Sequence, residues 1–192
     1  MAKIVIFVGH PLRDSFCAAL GEAYLRGAQE GEHSAQLFVL GRMKFDAILR
    51  EGCRRLQPLE ADLAHARDAF LASDHVVFIF PLWCGDMPAI MKGFIERLVQ
   101  PELLKIQESG DEANWKVFWG KSARVIMTMG MPGWFYRYYY GAHALKLLRR
   151  NILHFMGIKP VRSKIYGRVA AVSGDTRKEW LREVEAMGHE AD

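Results

Sequence analysis

Residues 76–80, Val-Val-Phe-Ile-Phe, form a short unbroken apolar run that ends in Pro81-Leu82-Trp83-Cys84-Gly85-Asp86-Met87-Pro88. A run of this length without polar alternation predicts a strand buried on both faces, and so a parallel sheet covered by helices on each side. A helix follows, with Pro88 at the first helical position, where its missing N–H costs nothing. The loop between them is too apolar for an ordinary surface turn. It places a Leu, a Trp, a Cys and a Met where a parallel sheet usually holds its ligand. A flat, apolar ligand accounts for that composition.

The rest of the chain alternates strand and helix. Apolar strands are expected at 4–8, 36–40, 76–80, 123–129 and 161–166. Between and after them, helical spacing of apolar residues predicts helices at 16–29, 59–72, 89–99, 143–156 and 176–187. Pro101 is expected to end the third helix, and Gly157 the fourth. Five strands separated by helices predict an α/β fold, a doubly wound parallel sheet of flavodoxin-like order 2-1-3-4-5 with helices on both faces. The whole chain, 1–192, reads as one domain, with no repeat or linker. Such a sheet places its ligand beyond the carboxyl ends of the first, third and fourth strands. Residues 9–15, 81–88 and 128–142 should therefore carry function.

Composition narrows the classes. The net charge is +4 with the charges scattered, Arg149-Arg150 being a pair and not a patch, so no nucleic-acid partner is expected. No apolar run reaches the ~20 residues that span a bilayer. Met1-Ala2-Lys3 runs straight into a strand, leaving no room for a signal peptide, and Cys17, Cys53 and Cys84 show no CxxC pairing. A cytoplasmic, reduced protein is expected. The seven histidines lack metal-ligand spacing, so no metal is expected, and no GxSxG marks a serine hydrolase. His154 reads as a hydrogen-bonded structural histidine, and Glu96-Arg97 as a solvated helix face.

The first loop, Gly9-His10-Pro11-Leu12-Arg13-Asp14-Ser15-Phe16, lacks the glycines of GxGxxG and of a P-loop. It offers a helix N-terminus, a hydroxyl and an imidazole, which suit a phosphate. Asp14 or Ser15 reads equally as a helix N-cap. The run Trp134-Phe135-Tyr136-Arg137-Tyr138-Tyr139-Tyr140 is an aromatic loop suited to a pocket wall or an interface.

Taken together, Gly9-His10-x4-Ser15-Phe16, Phe80-Pro81-Leu82-Trp83-x3-Met87-Pro88-Ala89-Ile90-x-Lys92-Gly93-Phe94 and Ile152-Leu153-His154-Phe155-Met156-Gly157 resemble the NAD(P)H quinone oxidoreductases of the DT-diaphorase type. The similarity spans nearly the whole chain in the right order. It implies a flavin at the carboxyl edge of the sheet. His10, Ser15 and Phe16 would hold the phosphates. Pro81, Leu82, Trp83 and Cys84 would line the isoalloxazine ring, and Thr128, Met129 and Gly130 its pyrimidine side. The family's catalytic Tyr and His fall on Tyr140 and His143, with Tyr136, Tyr138 and Tyr139 as alternatives for the Tyr. The spacing from His10 to Ser15-Phe16 is similar to FAD-binding members, so FAD is expected, with FMN as the alternative. The resemblance further implies NAD(P)H as co-substrate, a quinone-like acceptor, ping-pong turnover and a homodimer. Azo or nitro reduction uses the same chemistry. Some relatives are ancillary subunits of potassium-efflux systems, which is the regulatory alternative.

Overall fold

A computed structural model describes residues 1–52, 54–109 and 116–191; Cys53 lies outside them. Five strands form one sheet: β1 (Lys3–Val8), β2 (Ser34–Val39), β3 (His75–Pro81), β4 (Ser122–Thr128) and β5 (Val161–Tyr166). All pair in parallel in the order β2-β1-β3-β4-β5, as the strand and helix alternation predicts. The central strand β3 is buried at every residue. Edge strand β5 is buried only at Val161 and Tyr166.

The helices are α1 (Phe16–Glu30), α2 (Ala61–Ala72), α3 (Ala89–Ser109), α4 (Gly133–Tyr138), α5 (His143–Lys146) and α6 (Gly174–Glu190); α5 continues without a break into a π-helical stretch, Leu147–His154. Two cores lie on opposite faces of the sheet. On one, Phe7 touches the rings of Phe38, Phe70, Phe78 and Phe94 at centroid distances of 4.9–6.0 Å, under α2, α3 and α5. On the other, Ile6, Val77 and Ile126 meet Leu20 and Tyr24 of α1 and Val184 of α6. Helices α1 and α6 pack backbone to backbone. A Cβ on Gly27 would lie 1.8 Å from the carbonyl oxygen of Glu185, so only glycine permits the approach.

Three expectations are corrected. Pro101 does not end the third helix but lies inside α3, which runs on to Ser109. A mid-helix proline costs about 3 kcal/mol. Side-chain anchors around it outweigh that cost: Arg67 on α2 donates to the Leu98 carbonyl at 3.2 Å and to the buried Glu102 carboxylate at 2.6 Å. The aromatic run is not a loop throughout, since Gly133–Tyr138 is helical. Arg97 is not on a solvated face: it is fully buried, and it donates to the carbonyls of Asp46 and Pro58 and to the Glu60 carboxylate. Among the described residues no helix is long and apolar enough to cross a membrane.

Candidate active site

The carboxyl ends of β1, β3 and β4 bring the three expected loops to one edge of the sheet. In the first, the amide of Gly9 donates to the carbonyl of Ile79 at 2.8 Å, which continues the β1–β3 pairing into the loop. His10 Nδ1 accepts the amide of Leu12 at 3.0 Å. Burial pushes the imidazole pKa below its ordinary value, so the ring is neutral near pH 7 and its proton sits on Nε2. The ring meets Trp83 edge-on, with centroids 5.2 Å apart, and so links the first and second loops.

Ser15 is the N-cap of α1: its Oγ accepts the amide of Ala18 at 3.1 Å. The hydroxyl is therefore engaged, and the amides of Phe16 and Cys17 have no acceptor among the described residues. Beside them is a hollow of about 360 Å³ lined by Ser15, Phe16, Ala19, Glu22, Arg42 and Arg177, among others. Arg177 lies with its guanidinium carbon 5.9 Å from the centre of the Phe16 ring and donates to the Val169 carbonyl at 2.8 Å. Its Nε is buried and has no partner among the described residues. An unpaired buried guanidinium N–H beside a helix N-terminus suits an anion.

In the second loop, Leu82 donates to the Thr128 carbonyl at 2.7 Å, extending the β3–β4 pairing by one bond. Trp83 and Asp86 then exchange backbone hydrogen bonds of 2.9 Å each. Cys84 (φ +50°) and Gly85 (φ +82°) form the two-residue tip, a turn that needs the left-handed region at both positions. The amides of both tip residues have no protein acceptor among the described residues. Cys84 is exposed, so its thiol is carried on a strained backbone at the surface of the site. Replacing Cys84 by Gly is expected to raise stability by roughly 0.5–1 kcal/mol by removing the Cβ clash. Thermal unfolding checks this; a lowered Tm overturns it.

The third loop begins at Thr128, whose hydroxyl lies 3.3 Å from the Cys17 sulfur. Burial pushes the Cys17 thiol up to about 11, so it stays protonated and inert. Met129 is buried, with its amide donating to Tyr166 and its carbonyl accepting from Val169. Gly130 faces open space. Downstream, the buried Tyr136 accepts the Leu145 amide on its hydroxyl at 3.3 Å. Burial raises its pKa, so the phenol keeps its proton. That proton has no acceptor among the described residues and is free to point at a ligand.

A cavity of about 350 Å³ joins these loops, lined by Leu82, Cys84, Gly85, Met131, Tyr136, Tyr140 and His143. It thus collects Leu82, Cys84, Tyr140 and His143 from the residues expected by sequence. Pro81 and Met129 are buried and do not line it, Trp83 meets His10, and Ser15 and Phe16 lie at the separate α1 hollow. Tyr138 and Tyr139 are exposed and do not line it. Tyr136, one of the alternatives for the tyrosine, lines it too, and the structure adds Gly85 and Met131. Four tyrosines within five residues left the choice among them open in the sequence, and Tyr136 alone among them is buried. Among the described residues no three His, Cys, Asp or Glu side chains come together as metal ligands.

The ribosyldihydronicotinamide dehydrogenase-like protein of Penicillium crustosum is 26% identical over 220 residues, which cover 95% of this chain and 81% of the relative. The FMN-dependent NADH:quinone oxidoreductase 3 of Halalkalibacterium halodurans is 27% identical over 131 residues, 57% of this chain and 62% of the relative. The solved NAD(P)H:quinone oxidoreductase of Methanothermobacter marburgensis shares the fold with a TM-score of 0.74 at 23% identity, over 98% of this chain and 95% of that one. The sequence pattern of the flavodoxin-like fold family matches residues 2–187, and the chain belongs to that family.

Proposed function

We propose that this protein is an NAD(P)H-dependent flavin oxidoreductase that reduces quinones or similar flat acceptors, with FMN as its flavin. One observation carries the reading. A single cavity gathers an apolar wall, Leu82 and Met131, the open amides of Cys84 and Gly85, and the side chains of Tyr136 and His143. A flat heterocycle needs that combination of apolar wall and fixed donors. The phosphate end fits as well: the α1 amides, His10 Nε2–H and the unpartnered Arg177 Nε are donors suited to a phosphate.

FMN replaces FAD, the flavin expected from the His10 to Ser15-Phe16 spacing. That spacing now reads as an N-cap, which any helix can carry, and a relative matching over more than half of this chain is FMN-dependent.

A bound flavin would supply the hydride transfer between NAD(P)H and the acceptor. The chain's own residues orient and protonate. Leu82 and Met131 exclude water from the flat face. The tip amides of Cys84 and Gly85 offer N–H groups where negative charge develops. Tyr136, protonated and held by Leu145, is placed to donate to the acceptor, with His143 beside it in the wall. Tyr140, the tyrosine expected from the sequence, lines the same cavity from a more exposed position. Reductant and acceptor share one cavity, so they bind in turn and turnover is ping-pong.

The decisive experiment is the absorption spectrum of the purified protein before and after anaerobic NAD(P)H, with the released cofactor weighed. Bleaching of flavin bands and the mass of FMN are expected. A protein that stays colourless after reconstitution with either flavin overturns the reading. Tyr136→Phe is expected to lower kcat for quinone by about 10²-fold, more than Tyr140→Phe does. Equal rates for Tyr136→Phe and wild type remove that phenol from the chemistry. A homodimer belongs to the same reading, and sedimentation should then give twice the chain mass of 21.9 kDa.

A further inference from the structure

The two edges of the sheet differ in what guards them. Edge strand β5 carries Arg162 and Lys164 and follows the crossover beside the cavity. A homodimer closed over the cavity mouth would use that side of the molecule. There His154 makes no side-chain hydrogen bond among the described residues, which corrects its reading as a hydrogen-bonded structural histidine; Arg149, Lys159 and Arg150 face it. Edge strand β2 lies at the opposite end of the strand order. Its residues, Ser-Ala-Gln-Leu-Phe-Val, include no charge and no proline. Edge strands normally carry one or the other, because an open row of N–H and C=O groups invites a further strand.

The Ser34 amide donates to the Ala2 carbonyl at 3.0 Å, and β1 and β2 pair in register from Lys3 and Ser34 to Val8 and Val39. In a parallel ladder, alternate residues of an edge strand face its partner. Ser34, Gln36 and Phe38 therefore bond to β1, while Ala35, Leu37 and Val39 turn their N–H and C=O groups outward. None of these outward groups has a partner among the described residues. A hollow of about 310 Å³ runs along this edge, lined by Leu37, Phe38, Val39, Arg42, Asp62 and His65, among others. His65 of α2 meets the Phe38 ring edge-on, with centroids 5.2 Å apart. The flanks of the strand are oppositely charged. Glu30 and Glu32 precede it, Arg42 and Lys44 follow it, and no Asp, Glu, Lys or Arg stands between Glu32 and Arg42. All four are exposed. Arg42 pairs with Asp14 and Glu22, whereas Glu30, Glu32 and Lys44 make no ion pair among the described residues.

We propose that β2 pairs antiparallel with β2 of a second copy, about a two-fold axis at Leu37, and so joins two sheets into one. The edge complements itself in its backbone, its side chains and its charges. Leu37 meets its own copy and Ala35 meets Val39, so every outward N–H faces an outward C=O. Gln36 of each copy comes opposite Phe38 of the other, where the hollow receives its side chain and the Asp62 carboxylate and His65 imidazole offer partners for its amide. The acidic start of each strand lies against the basic end of the other, Glu32 toward Arg42 and Glu30 toward Lys44. A parallel pairing would set like charges together. An extended segment of another protein is a poorer occupant, because the chain's own copy brings the matching charges with it. Antiparallel pairing sends the carboxyl edges of the two sheets in opposite directions, so neither candidate site is covered. The pairing stands apart from the reductase reading.

The test is sedimentation of the full chain over a wide range of concentration, with amide hydrogen exchange read at the low and high ends. The wild-type particle should double in mass as concentration rises, from the homodimer to four chains. The amides of Ala35, Leu37 and Val39 should exchange more slowly when it does. Ala35→Pro removes an outward N–H and no bond to β1, as an edge strand permits, and should stop at the lower mass. Glu30→Lys and Lys44→Glu each reverse a contact that the two-fold repeats, so each should weaken the doubling by about tenfold. Combining the two reversals exchanges the charges and should restore the wild-type doubling. That rescue decides the matter if the proline variant does not fold. Turnover per chain should be unchanged in the charge variants. A wild-type mass that does not change with concentration overturns the pairing and leaves the edge to a strand of another protein. So do single reversals without effect, a double reversal that stays weak, or a doubling that leaves the three amides unprotected. Doubling from one chain to two, and not from two to four, keeps the pairing and places the homodimer of the reading above at this edge.

Discussion

Replacing Arg97 by Met is expected to cost about 3–5 kcal/mol of stability, as removing one partner of a buried ion pair does. The guanidinium is fully buried in α3 and holds three acceptors of the long connection between β2 and α2. These are the carbonyl of Asp46, the carbonyl of Pro58 at 2.7 Å and the Glu60 carboxylate at 3.1 Å. Glu60 is partly exposed, so its share is screened. The two carbonyls carry the larger part, at roughly 1–3 kcal/mol for each acceptor left unsatisfied. Methionine keeps the volume and removes the donors, so the loss reports hydrogen bonds and not a cavity. For a chain of this size the Tm should fall by about 10 °C. Denaturant unfolding with limited proteolysis checks both the magnitude and the place, because the first new cleavage should fall within residues 43–60. A loss below about 1 kcal/mol would mean the connection is held by something else.

The same anchor explains what the sequence conceals. On α3, Gly93, Arg97 and Gln100 recur at i, i+4 and i+7, one stripe of a helix. Gly93 makes room for the carbonyl of Ala47, Arg97 holds residues 46–60, and Gln100 binds Gly52, Arg55 and Gln57. A small residue, an arginine and a glutamine at helical spacing look like a solvated face by polarity alone. Only the return of an eighteen-residue connection over them makes the stripe a buried seam, and long-range packing of that kind leaves no periodic signal. The sheet was legible for the opposite reason. Its strands β1, β3 and β4 are buried on both faces, and apolar runs of that kind announce themselves locally. The candidate site was legible as far as it depends on strand ends. Leu82 and Cys84 follow β3 directly, so naming the loop named the cavity wall. The choice of Tyr136 among the four candidate tyrosines was not legible, because it depends on how α4 turns within a run of aromatic residues.

Lowering the pH should expose a second buried anchor, His75. It opens β3 at the amino edge of the sheet, far from the candidate site. Its Nδ1 lies 2.7 Å from the Ser122 hydroxyl and its Nε2 3.3 Å from the Tyr24 hydroxyl. Burial, then the nearby positive charges of Arg124, Arg162 and His33, push its pKa down to about 4. A depressed histidine pKa means the folded state resists protonation while the unfolded chain accepts a proton near pH 6.5. Stability from this group is complete above that pH, declines as pH falls through the window between about 6.5 and 4, and is gone below it. The shift corresponds to about 3 kcal/mol across the window. Wild-type protein should therefore lose roughly 2.5 kcal/mol through His75 alone between pH 7 and pH 4.5. His75→Gln keeps a hydrogen-bonding side chain without a titrating one. It should start less stable at pH 7 and show a flatter decline, with the two stability curves converging near pH 4.5. Parallel curves from denaturant titrations at stepped pH would show that the acid sensitivity of this fold comes from other groups. Because the site lies at the opposite edge, turnover at pH 7 should be the same for both proteins. A parallel drop in turnover would mean that the amino edge of the sheet is coupled to the cavity.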